Sequence, residues 1–248
     1  MSGNDIEAEV KQRLARVRER LASACARAGR EPSEVTLVGV SKRQHPARIA
    51  AAVRAGVRHL GENYVQELRD KRPLVEQLLA GHHPPPRWRM IGSLQRNKVR
   101  HAIELFDAVE TIDREKLARE LDRRLATARV SEPMEVCLQV NLSGEEQKGG
   151  VSEQELPALL EACAPLSQLR VVGLMTIPAP SQDPEATRPV FAQLRQLRDT
   201  LRQEPGGENL RELSMGMSSD FEQAIEEGAT LVRVGTAVFG PRPPLASA

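Results

Sequence analysis

Apolar positions recur along this chain in two alternating periods. Near the start, Ile6, Val10, Leu14, Val17, Leu21 and Cys25 fall three or four residues apart. That stripe predicts a helix over about 5–28, with Gly29 placed to end it. Short apolar runs then predict eight strands, at 35–41, 57–62, 88–92, 106–110, 134–141, 169–176, 210–215 and 230–235. Helical stripes lie between them: Leu117, Leu121 and Leu125 in one, Val190, Leu194, Leu197 and Leu201 in another, Phe221 and Ile225 opening a third. Strands alternating with helices predict parallel strands joined by crossovers. Eight such strands in 248 residues predict an α/β fold closed into a single (β/α)8 TIM barrel with an extra N-terminal helix. A doubly wound open sheet is the alternative, because periodicity does not establish closure. No composition shift divides the chain, so we expect one domain over 1–248, with a core at about 30–240 and a loose tail over 241–248.

Composition removes several function classes. The net charge of +1 offers no global basic field to recruit nucleic acid, and six aromatic residues are few for base stacking. No apolar run is long enough to cross a bilayer, and the charged N-terminus does not read as a signal peptide. Cys25, Cys137 and Cys163 show neither metal spacing nor a paired framework, which suits core fillers in a reducing, cytoplasmic setting. His82 and His83 beside three prolines lack metal-ligand spacing and read as a loop. No metal site is expected.

The candidate chemistry lies at the carboxyl ends of the strands, where this fold gathers function. Lys42 closes the first apolar run, and the chain holds only six lysines against twenty-nine arginines. A lysine there is either a Schiff-base amine or a side chain that snorkels past the strand end. After strand seven, Ser214-Met-Gly-Met-Ser-Ser-Asp220 precedes a helix, and Ser219 with Glu222 has capping-box spacing. Gly235-Thr236 follows strand eight. Loops seven and eight commonly hold phosphate in this fold; ordinary capping and turn chemistry is the alternative. Arg233 alternates with Val232 and Val234, so it points into the barrel if the valines face the helices. There it either pairs with an internal carboxylate, Glu62 or Glu212, or donates to a ligand. A Schiff-base lysine, a phosphate cradle and an inward cation together fit pyridoxal 5′-phosphate. Lys42 would form the imine, Ser214, Thr236 and nearby amides would hold the phosphate, and Arg233 would donate to the pyridine nitrogen. An arginine keeps that nitrogen unprotonated and weakens the ring as an electron sink.

These residues resemble the pyridoxal phosphate homeostasis protein family, related to the barrel domain of alanine racemase. The matching stretches are Val38 to Lys42, His59 to Glu67, Trp88 to Lys98, Gln139 to Asn141, Gly173 to Met175, Leu213 to Ser218 and Val232 to Thr236. The resemblance implies a fold type III pyridoxal phosphate-binding barrel that carries or buffers its cofactor without robust catalysis. It implies Lys42 as anchor, Asn63 near the ring, Arg233 at the ring nitrogen, and phosphate ligands at Ser214, Gly235 and Thr236. With Met215 of the same loop these make the expected cofactor-binding set, with no catalytic residue. Two departures stand out: Arg89 where a histidine is expected beside the cofactor, and a loop after Lys42 one residue longer than usual. Lys148 matches a lysine often present in the family, as a secondary aldehyde site or a solvated loop residue.

The expected partners are pyridoxal phosphate and apo-enzymes that receive it. We expect a monomer, with a dimer as the alternative, and no nucleic acid or membrane. Three other readings compete: an amino-acid racemase-like enzyme, a Schiff-base aldolase acting on sugar phosphates, and a regulatory protein contact through the arginine-rich helix faces. The racemases carry a second, β-rich domain that supplies a tyrosine base. Here the chain ends soon after strand eight, and Tyr64 is the one tyrosine.

Overall fold

A computed structural model describes residues 3–81, 83–128, 132–145 and 149–241. Eight parallel strands form a closed barrel in sequence order: β1 (Thr36–Val40), β2 (His59–Glu62), β3 (Arg87–Met90), β4 (Ala108–Ile112), β5 (Met134–Gln139), β6 (Leu169–Met175), β7 (Glu212–Ser214) and β8 (Leu231–Val234). Pairing of β1 with both β2 and β8 closes the ring. The open-sheet alternative is thereby excluded. The fourth strand lies two residues beyond its expected place, because Phe106 caps the preceding helix and packs in the core.

Helices cover the outside: α1 (Gly3–Arg27), α2 (Pro46–Arg54), α3 (Val65–Leu78), α4 (Val99–Leu105), α5 (Glu115–Ala128), α6 (Leu156–Cys163), α7 (Arg188–Leu201), α8 (Phe221–Glu226) and the single turn α9 (Thr236–Phe239). Helix α1 buries its stripe of Val10, Leu14, Val17, Leu21 and Cys25 against α2, α8 and α9. Gly29 ends it at φ +65°, a conformation that costs glycine little. Arg20 and Arg27 pair with Glu222 and Glu226 at 2.8 and 2.7 Å, and Arg48 of α2 reaches Glu9 at 2.6 Å. The extra helix thus straps the last β/α units to the second. In α7 the buried positions are Phe191, Leu194 and Leu201, while Val190 and Leu197 are half-buried.

All three cysteines are buried and unpaired, and burial pushes the Cys163 thiol up to about 12. No described helix is long and apolar enough to cross a membrane. Among the described residues no histidine, cysteine or carboxylate group clusters as a metal site. His82, Lys148 and most of the expected loose tail lie outside the described residues.

At the amino ends of the strands, burial, then Arg89 and Arg87, push His59 down from 6.5 to about 4. Its contribution to stability is therefore complete above the unfolded value of 6.5. It is lost as pH falls toward 4, where the unfolded chain binds a proton that the folded chain refuses. The expected result is that His59→Gln flattens the loss of melting temperature between pH 6.5 and 4. Parallel acid limbs in the two proteins would disprove it.

Candidate functional site

At the carboxyl mouth of the barrel, a cavity of about 340 Å³ opens between loops one, two, seven and eight. Lys42 reaches it because side chains alternate along β1: Val40 and Lys42 face the cavity, and Ser41 faces the helices. Both neighbours of Lys42 are held by one buried charge cluster. Ser41 Oγ donates to Glu62 Oε1 at 2.8 Å, and Lys71 Nζ donates to the Ser41 carbonyl at 2.8 Å. Lys71 also bonds Glu62 at 2.5 Å and Glu67 at 2.6 Å, and Glu67 accepts the Arg43 amide at 2.5 Å. This tether explains why Arg43, a non-glycine residue, holds φ +59°. The Lys42 ammonium stands 5.3 Å from the Tyr64 ring centroid, within cation–π reach.

The cluster supports a stability prediction. Burial drives the Glu62 carboxyl up, and Lys71 opposes it. In Lys71→Met, Glu62 is left buried without its cation and takes up a proton rather than staying charged. We expect a loss of about 2 kcal/mol at neutral pH that shrinks as pH is lowered, read from denaturant melts. A loss that grows toward low pH would overturn this account.

Loop two enters through Asn63, whose backbone presses on Gly92. A Cβ at Gly92 would lie 2.4 Å from the Asn63 carbonyl oxygen, so only glycine fits. Loop seven turns at Gly216, φ +88°, and Met217 donates its amide to Asp220 Oδ1 at 2.7 Å. Helix α8 therefore begins at Phe221 behind Asp220, not at a Ser219–Glu222 capping box. Glu222 is engaged by Arg20 instead, and Ser219 is left at the cavity. Ser218 Oγ accepts the amides of Gly235 at 3.2 Å and Ala237 at 3.5 Å, which ties loop seven to loop eight. Among the described residues, the amides of Ser218, Ser219 and Thr236 have no intramolecular acceptor. They form a ready set of donors for an anion.

Arg233 points inward, as its alternation predicts. It donates from Nη1 to Ser214 Oγ at 2.5 Å and from Nη2 to the Thr176 carbonyl at 2.8 Å. Ser214 Oγ in turn donates to Glu110 Oε2 at 2.5 Å, and Arg89 Nε donates to Glu110 Oε1. The internal carboxylate is thus Glu110, reached through Ser214. Glu62 turns outward to Lys71, and Glu212 accepts from Thr230. Burial works against the charge of Glu110, but Arg89 and Arg233 outweigh it and hold its carboxyl below the usual range.

Of the expected site residues, Lys42, Asn63, Arg233, Gly235 and Thr236 line the cavity. Ser214 is fully buried beneath Arg233, and Met215 packs in the outer core. In their place Met217, Ser218 and Ser219 reach the cavity, with Ile91 and Ile177 as apolar walls. The Ser218-Ser219 pair ahead of a helix was the available signal; the register of the turn was not. Arg89 stands at the opposite mouth of the barrel, not beside this cavity.

Comparison with known proteins agrees with this geometry. The alanine racemase N-terminal domain family matches residues 12–243. A Pseudomonas aeruginosa protein named pyridoxal phosphate homeostasis protein is 42% identical over 233 residues, covering 94% of this chain and 96% of that one. An Aquifex aeolicus protein of the same name is 42% identical, covering 93% and 97%. PipY of Synechococcus elongatus, solved with pyridoxal phosphate bound, superposes with a TM-score of 0.80 at 37% identity, covering 93% of this chain and all of that one. On its barrel, its mouth and these matches, the chain belongs to the pyridoxal phosphate homeostasis protein family, within the alanine racemase N-terminal domain group.

Proposed function

We propose that this protein carries or buffers pyridoxal 5′-phosphate, held covalently through Lys42, and maintains its supply without robust catalysis. The carrying observation is that a lysine amine, an inward guanidinium and a set of unpaired amides line one cavity. Lys42 supplies the primary amine that condenses with the aldehyde, releasing water. Ser218, Ser219, Gly235 and Thr236 hold the phosphate, and Asn63 lies beside the ring. Arg233 donates to the ring nitrogen. When bound, the cofactor supplies electron withdrawal, which a guanidinium partner leaves weak because it gives up no proton. Ser214 acts one layer below, by holding Arg233, while Met215 packs in the outer core.

The test is visible absorbance of the purified protein after incubation with pyridoxal phosphate, then borohydride trapping and peptide mapping. A yellow protein labelled at Lys42 supports the reading. A colourless, unlabelled protein overturns it in favour of an aldolase. The racemase-like alternative predicts loss of the α-hydrogen of a bound amino acid in deuterated water; a carrier shows very slow exchange or none. Removing the cradle should weaken binding without preventing it. Ser218→Ala with Thr236→Ala is expected to raise the Kd by on the order of hundredfold or more, two hydrogen bonds to a charged group being lost at about 1.5 kcal/mol or more each. An unchanged Kd would place the phosphate elsewhere. Delivery to apo-enzymes in the cytoplasm, as a monomer, completes the reading, and following cofactor transfer to an apo-enzyme would test it.

A further inference from the structure

We propose that the amino-terminal mouth of the barrel is a second ligand site, built for a diphosphate group. A cavity of about 390 Å³ opens there, lined by residues of the strands and of the turn before β7. Its lining includes Arg87, Arg89, Arg170 and Arg211, against the carboxylates Glu135 and Glu212. Glu135 is shared by Arg87 at 3.1 Å and Arg170 at 3.0 Å. A guanidinium has five N–H donors, so each keeps several in hand. The exposed Arg211 side chain has no hydrogen-bond or ion-pair partner among the described residues. Four guanidiniums face Glu135 and Glu212 here, and Glu110 answers Arg89 from inside the barrel. Positive charge is therefore in surplus at this mouth.

His59 lines the same wall; its Nδ1 is buried, with no hydrogen-bond partner among the described residues. The apolar lining is limited to Val172 and Leu231, which disfavours an apolar ligand. Guanidiniums converging from β3, β6 and the start of β7 suit a ligand with more than one charged group, since each can grip oxygens two at a time. A diphosphate meets that requirement, either as the free ion or as the end of a nucleotide.

The mouth is also wired to the cofactor cavity. Arg89 lines it, and the buried chain from Arg89 to Glu110, Ser214 and Arg233 ends in the Lys42 cavity. A ligand that draws on Arg89 changes how Glu110 divides its charge, and so how Arg233 is held. This coupling, unlike the site itself, rests on the proposed function.

The test is calorimetric titration of the full chain with pyrophosphate, with ADP as a second arm. The unmodified protein should give saturable binding. Arg211→Glu, which removes no internal contact, should weaken it at least tenfold, and so should Arg170→Ala with Arg211→Ala. Ser218→Ala with Thr236→Ala, at the other mouth, should leave it unchanged. Tighter ADP would identify the ester as the source, tighter pyrophosphate the free ion. No saturable binding, or binding lost in the upper-mouth variant and kept in Arg211→Glu, overturns the site. Repeating the titration on protein loaded with pyridoxal phosphate tests the coupling. A shift in the cofactor's absorbance supports it, and an unmoved spectrum with pyrophosphate bound overturns the coupling while leaving the site.

Discussion

Lys42→Ala is expected to show no imine absorbance with pyridoxal phosphate, to trap no label with borohydride, and to fold like its parent. The reason is local. Among the described residues Lys42 makes no ion pair or hydrogen bond, only the contact with the exposed Tyr64 ring. Its removal orphans nothing, so stability should move by about 0.5 kcal/mol or less. The loops proposed to hold the phosphate are built by Ser218, Gly216 and Asp220, none of which touches Lys42. Residual cofactor should bind non-covalently, on the order of hundredfold more weakly, equivalent to roughly 2.7 kcal/mol. The decisive measurement is peptide mapping after borohydride, beside a thermal melt. Label on a different lysine, with the melt unchanged, would move the anchor away from Lys42.

Glu110→Ala should be the most destabilising single change considered. Glu110 is fully buried between Arg89, its direct partner, and Arg233, reached through Ser214. Without it two buried guanidiniums face each other uncompensated, and breaking one side of a buried pair costs about 3–5 kcal/mol. For a chain of this length that is roughly 6–20 °C in Tm. Ser214 also loses its acceptor, so Arg233 should shift and cofactor binding should fall with stability. Arg89→Met combined with Glu110→Gln should recover much of the loss, because the second stranded charge goes too. The sign with pH follows. A carboxyl held low in the fold stabilises above its unfolded value and loses that contribution as pH falls. The variant should therefore be less sensitive to acid than the parent. A Glu110→Ala melt within about 2 °C of the parent would show that Arg89 and Arg233 are satisfied by other means.

The barrel and its strap of α1 were legible in the chain because their signals are periodic and local. Burial on two faces makes each strand an apolar run, and burial on one face makes each helix a stripe. Lys42 and Arg233 stood out for the same reason: each carries a charge at a position where the period demands an apolar side chain. Even the fourth strand, misplaced by two residues, and the stripe of α7, which turns on Phe191, kept their identity and order.

Closure, and the partner of each buried charge, lay beyond that signal. Val38 pairs with Arg233 across β1 and β8 only because eight strands complete a ring, and no local pattern distinguishes a ring from an open sheet. Glu62 and Glu212 were the natural candidates for Arg233 by position in their strands. Pleat direction and side-chain reach turned them to Lys71 and Thr230, and brought Glu110 in across the lumen through Ser214. The turn at Gly216 likewise set Ser218 and Ser219, not Ser214, at the cavity, since Ser214 lies deeper in the lumen beneath Arg233 and the chain reaches the mouth only after that turn. Local periodicity was enough to specify which elements form and which residues are anomalous. Which anomalies meet followed from the closed fold, because contacts between residues far apart in the chain depend on strand order, pleat and turn geometry that no short window of sequence encodes.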